Sequence, residues 1–148
     1  MAAVTVTHLP GTAYQTRIET DELAIVGEES EVAGGDGLGP SPYELLLAAI
    51  GHCAVLTILL YARRKEWPVE GVSIHLLHER FVVEEGEGSG LARRKVERIT
   101  QEIDLQGPLD AEQRARLVEI AGKCPVHRTL TGDLELVEIA APLAQAET

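Results

Sequence analysis

An α+β fold, with an antiparallel sheet packed around a long central helix, is predicted by three features of the sequence. A mid-chain stretch without charge lies between helix-capping signals, alternating apolar segments flank it on both sides, and a second, short helical pattern follows the strands. The 148 residues read as one domain, 1–148, large enough for a core of its own.

Val4 to Leu9 alternates and is turned by Pro10-Gly11; Tyr14 to Thr20 and Leu23 to Val26 read as the second and third strands around Asp21-Glu22. The glycine-rich run Gly34 to Pro40 contains neither G-x-G-x-x-G nor G-K-[ST], so it reads as a flexible loop leading into the helix rather than a phosphate cradle. Ser41 to Trp67 is the helix. Ser41 is the N-cap, Pro42 occupies the first helical position, and Glu44 completes an S-x-x-E capping box. Arg63, Arg64 and Lys65 suit the negative C-terminal end of the helix, and Trp67-Pro68 stops it.

Leu45 to Ala62 carries no acid or base except His52. Its length alone would suit a membrane span. The flanking segments, however, alternate like strands of a water-facing sheet, and Gly51, His52, Cys53 and Thr57 at its middle resemble a site, so it reads as a core helix. Both of its faces are apolar and one chain can cover roughly one of them, which predicts an obligate homodimer. The small residues Ala48, Gly51 and Ala62 are the expected places for a partner backbone to approach.

Beyond Pro68, Val72 to Val83 is the strongest strand, Glu84 to Leu91 a polar loop expected to be disordered, and Val96 to Leu105 a strand with Ile99, Ile103 and Leu105 on one face. Asp110 caps a helix whose buried stripe reads as Leu117, Val118 and Ala121, and Gly122 ends it. Leu134 to Ile139 reads as the last strand, with residues 140–148 a fraying tail.

Acids outnumber bases 24 to 13, for a net charge of −11, which argues against nucleic-acid and anionic-membrane partners. The N-terminus lacks a leader pattern, so a cytoplasmic location is expected, and there a conventional structural disulfide is not. The two cysteines are therefore free, metal-bound or redox-active. Cys124 stands in K-C-P-V-H-R-T-L, at the N-cap of a short helical turn opened by Pro125 and near His127 and Arg128. That setting favours a thiolate, whereas Cys53 lies among leucines. His52, Cys53, Cys124 and His127 are four conceivable zinc ligands. Neighbouring helix residues point about 100° apart, so His52 and Cys53 cannot readily share an ion, and neither a metal nor another cofactor is expected.

G-P-S-P-Y-E-L-L-L-A-A-I-G-H-C on one helix, followed at a distance by K-C-P-V-H-R-T-L, resembles the OsmC/Ohr family of osmotically induced and organic-hydroperoxide-resistance proteins, over nearly the whole chain. The resemblance implies an intertwined homodimer with sites at the subunit interface. It also implies a stress-defence thiol peroxidase that reduces organic hydroperoxides and is regenerated by a dithiol reductant. Cys53 matches the peroxidatic position and Cys124 the resolving one, which reverses the order suggested by local sequence. The family activates its first thiol with an arginine and a glutamate. Arg17 is the sole arginine before the helix, while Tyr43 occupies the glutamate position and Glu44 lies one residue beyond it. Arg17, Tyr43 and Glu44 are thus the candidates for activating the thiol or binding substrate. A non-enzymatic small-molecule or acyl-ligand binder using the same interface cavity is the alternative reading.

Overall fold

The computed structural model describes residues 1–86, 90 and 92–141. It is an α+β structure with strands β1 (Thr5–His8), β2 (Thr16–Glu19) and β3 (Ala24–Gly27), helix α1 (Pro42–Arg64), strands β4 (Gly71–Glu85) and β5 (Ala92–Gln106), and helices α2 (Ala111–Ala121) and α3 (Pro125–Thr131). A single antiparallel sheet was expected, but the strands form two: a meander β1-β2-β3 and a hairpin β4-β5. The loop expected at Glu84 to Leu91 is shortened, because β4 reaches Glu85 and β5 starts at Ala92; residues 87–89 and 91 lie outside the described residues.

The central helix begins and ends where its signals stand. Ser41 Oγ accepts from the Glu44 N–H, and the Glu44 carboxylate accepts from the Ser41 N–H at 2.7 Å, closing the capping box. β4 and β5 pair in continuous register from Gly71↔Gln106 to Glu85↔Ala92. Val72, Ile74, Leu76 and His78 alternate onto the face that receives α1, as the two-residue period of a strand requires. Gly51 lets that face come close, because a side chain there would run into the Leu76 methyl at 2.6 Å.

The core lies between α1, the hairpin and α2: Ala54, Ile58 and Ala62 meet Leu105, Leu109, Leu117 and Ala121, with Trp67, Val69 and Ile103 closing its edges. On α2, Ile120 is buried and Val118 is half exposed, correcting the expected stripe. Positions three and four beyond Leu117 share its face, and the adjacent position does not. Gly51 and Ala62 are likewise buried within the chain, so of the three small residues expected to admit a partner Ala48 alone stays exposed. Arg114 ties α2 to the end of β5, donating to the carbonyls of Leu105, Gly107 and Leu109.

Three apolar surfaces stay open. On α1, Leu56, Leu59 and Leu60 are 46%, 41% and 66% exposed. The N-terminal meander, which meets α1 around Pro42 and Leu45, leaves Val6, Ile25 and Val26 exposed. Leu134 to Ile139, expected as a strand, has no strand partner here, and Leu136, Val137 and Ile139 are largely exposed. Alternation fits a segment for a sheet, but a strand exists only where another edge accepts its hydrogen bonds. Of the expected tail, Ala140 and Ala141 are irregular, and residues 142–148 lie outside the described residues.

Candidate functional site

The two thiols, 71 positions apart in sequence, face each other. Cys53 is half-buried on α1, Cys124 is fully buried at the start of α3, and the two thiols are close enough to perturb one another. Pro125 explains the placement of Cys124. It excludes the α conformation at residue 124 (φ −65°, ψ 149°) and opens the helix behind it, so the thiol becomes the N-cap. The His127 N–H donates to Cys124 Sγ at 3.2 Å.

Local sequence suggests that this N-cap favours the thiolate. The structure corrects that reading: burial pushes the Cys124 thiol above its ordinary value, outweighing the hydrogen bond from His127, and the neighbouring Cys53 adds to the rise. Cys124 is therefore the protected thiol of the pair, and Cys53 the one open to approach. Among the described residues, no three metal-ligating side chains converge.

A cavity of about 360 Å³ opens between the same two helices that carry the thiols, lined by Tyr43, Leu46 and Ile50 of α1, by His78, Glu97, Ile99 and Gln101 of the hairpin, and by His127, Leu130 and Thr131 of α3. Positions 43, 46, 50 and 53 repeat at intervals of three and four, so Cys53 continues the helix stripe that forms one wall. Ten residues at 1.5 Å rise place Cys53 about 15 Å along the helix from Tyr43.

The end remote from the thiols is polar. The Tyr43 ring stacks on His78 with centroids 4.4 Å apart and planes 10° from parallel, and the Arg80 guanidinium lies 5.0 Å from the ring centroid. Arg80 also donates to the Tyr43 hydroxyl. Glu97 accepts from Arg80 at 2.9 Å and is bonded to His78 at 3.2 Å. The His78 contact, ahead of Arg80, holds the Glu97 carboxyl below its usual range. Gln101 is inward-facing, with its Oε1 buried and unpaired.

Of the three candidates for activating the thiol or binding substrate, Tyr43 lines this cavity. Glu44 is spent on the helix cap, and its hydrogen bonds with Ser41 hold its carboxyl below the usual range. Arg17 is exposed on β2 and paired with Glu19 at 2.8 Å. Sequence reasoning passed over His78, Arg80, Glu97 and Gln101. A signal existed for two of them: His78 and Gln101 fall on the inward phase of otherwise apolar strands, where a polar side chain is out of place without a partner or a ligand.

Comparison with curated proteins finds no match. Among solved structures, the fold is shared with a protein provisionally named as an osmotic stress induced and detoxification response protein from Psychrobacter arcticus (TM-score 0.64, 22% identity, 90% of this chain and 91% of that one). It is shared as well with an organic hydroperoxide resistance protein OsmC from Legionella pneumophila (TM-score 0.62, 18% identity, 91% and 92%). A third is the organic hydroperoxide resistance protein OhrB of Bacillus subtilis (TM-score 0.54, 18% identity, 91% and 93%). The family model described as OsmC-like protein matches residues 34–137, from the loop before α1 to beyond α3. With both thiols and the whole helix–hairpin–helix unit inside that match, the chain belongs to the OsmC-like family.

Proposed function

We propose that the protein is a thiol peroxidase of oxidative-stress defence, reducing organic hydroperoxides through Cys53 and Cys124. The observation that carries this reading is the facing pair of free thiols on the two helices that also line a largely apolar cavity. Cys53, the more open thiol, attacks the terminal peroxide oxygen and becomes a sulfenic acid; Cys124 condenses with it to a disulfide, which a dithiol reductant reopens. Burial of Cys124 suits the resolving role, because a protonated, shielded thiol does not compete for peroxide. The names of the hydroperoxide-resistance proteins that share the fold agree with this reading.

The working form is a cytoplasmic homodimer. Three observations support it: the uncovered leucines of α1, the open meander, and the unpaired alternating segment Leu134 to Ile139. A second copy seated on these surfaces would cover them. One apolar helix, Pro42–Arg64, is long enough to cross a membrane, but it packs against the hairpin and α2 in the core.

The binder reading is kept by one fact: apart from its polar end, the cavity is lined by Leu46, Ile50, Ile99 and Leu130 with His127 and Thr131, and could hold a largely apolar ligand without chemistry. Counting thiols under denaturing conditions, before and after one equivalent of cumene hydroperoxide, decides between them. A peroxidase loses both thiols; a binder keeps both, and that result would end the enzyme reading.

A further inference from the structure

On the peroxidase reading above, we propose that His127 is the acid–base residue of the site, giving a proton to the departing peroxide oxygen and then taking one from Cys124. The cavity has two ends, and its titratable groups divide between them. Tyr43, His78 and Glu97 belong to the end remote from the thiols, where stacking and the Arg80 contacts already occupy them. His127 belongs to the thiol end. It follows Cys124 by three residues, its main-chain N–H donates to Cys124 Sγ at 3.2 Å, and it lines the cavity together with Tyr43, Leu46 and Ile50 of the α1 stripe that continues to Cys53. Among the described residues, no side chain hydrogen-bonds to its imidazole. His52, although next to Cys53, is exposed and turned about 100° away around the helix.

The chemistry needs such a group twice. The Cys53 thiolate attacks the terminal oxygen, the S–O bond forms, the O–O bond breaks, and the electron pair leaves on the alkyl oxygen. An alkoxide is a poor leaving group, and the imidazolium supplies the proton that makes it an alcohol. Cys53 is now a sulfenic acid and His127 is neutral. Cys124 is buried and holds its proton tightly, so its attack requires a base at hand. The neutral imidazole accepts the thiol proton, the Cys124 thiolate attacks the Cys53 sulfur, the S–S bond forms and the S–O bond breaks. The departing hydroxide recovers the proton as water. One hydroperoxide and two thiols thus become one alcohol, one water and one disulfide. Imidazole is the side chain suited to both directions near neutral pH.

The test separates proton donation from packing by varying the leaving group. Single-turnover rates of peroxide consumption, which report formation of the Cys53 sulfenic acid before Cys124 attacks, are measured for wild type, His127→Gln and His127→Ser. The peroxides are cumene hydroperoxide, which releases an alkoxide, and peracetic acid, which releases acetate and needs no proton. The expected result is a loss of about 10²-fold for both variants with cumene hydroperoxide. The rate with peracetic acid should be nearly unchanged, and added imidazole should partly restore His127→Ser with cumene hydroperoxide. Equal losses with both peroxides, or no loss with either, would overturn the role of His127 and leave the peroxidase reading standing. A wild type inert toward both peroxides would overturn the two together.

Discussion

Tyr43 lies flat on His78, ring centroids 4.4 Å apart, with the Arg80 guanidinium 5.0 Å from its ring centroid, and this stack lines the end of the cavity away from the thiols. Tyr43→Ala should open that end. KM for a bulky hydroperoxide such as cumene hydroperoxide should rise several-fold with kcat little changed, because the stack lies about 15 Å from Cys53 along the helix. A fall in kcat at constant KM would instead make Tyr43 part of the chemistry.

The thiols predict an asymmetric pair of variants. Cys53→Ser should abolish peroxide consumption, whereas Cys124→Ser should react once and leave a sulfenic acid that dimedone traps on Cys53. Mass spectrometry of the treated proteins reads both outcomes. If Cys53→Ser consumes peroxide as fast as wild type, the assignment fails.

The raised Cys124 thiol links stability to alkaline pH. The folded state holds the proton more tightly than the unfolded chain, so the contribution is fully present below the ordinary thiol value of 9.0. It is lost as the pH climbs from there through the higher folded value. Urea midpoints should therefore fall more steeply above pH 9 for wild type than for Cys124→Ala. Parallel curves would contradict the burial argument.

Arg114 should be the costliest surface-proximal side chain to remove. Its guanidinium donates to three carbonyls, those of Leu105, Gly107 and Leu109, at the turn from β5 into α2. Arg114→Ala should cost about 2–3 kcal/mol of unfolding free energy, because charge-assisted bonds to partly buried carbonyls go unreplaced. Denaturant titration reads it, and a change under about 0.5 kcal/mol would mean that water substitutes freely.

For association, Leu60 is the sharper probe. It is 66% exposed on the single chain, so Leu60→Asp should barely affect a monomer. In a dimer that buries it, the same change should dissociate or unfold the protein. Light scattering at micromolar concentration should give twice the 16.0 kDa chain mass for wild type and not for the variant. A folded wild-type monomer would refute the dimer.

What could be read in advance was whatever the chain encodes locally. Ser41, Pro42 and Glu44 announced the start of α1, and Pro125 announced α3 with Cys124 at its cap. Leu134 to Ile139 carries the pattern of a strand, yet pattern cannot say where the accepting edge lies, and among the described residues none accepts it. The expectation that the N-cap favours a Cys124 thiolate failed for a related reason. The N-cap of Cys124 is written in adjacent residues, while the burial that outweighs it comes from the rest of the fold. The group of Tyr43, His78, Arg80 and Glu97 draws on three elements, and only the register of Arg80 against Glu97 brings their charges together.

The two facing thiols also bear on durability. A bond between them would close a loop of some 70 residues, which in the chain-entropy treatment removes about 4 kcal/mol of freedom from the unfolded chain. The spent, oxidised protein would then resist heat and proteases better than the reduced one. Molecules waiting for reductant during an oxidative burst would be preserved rather than lost, and their return to service would need electrons instead of new synthesis.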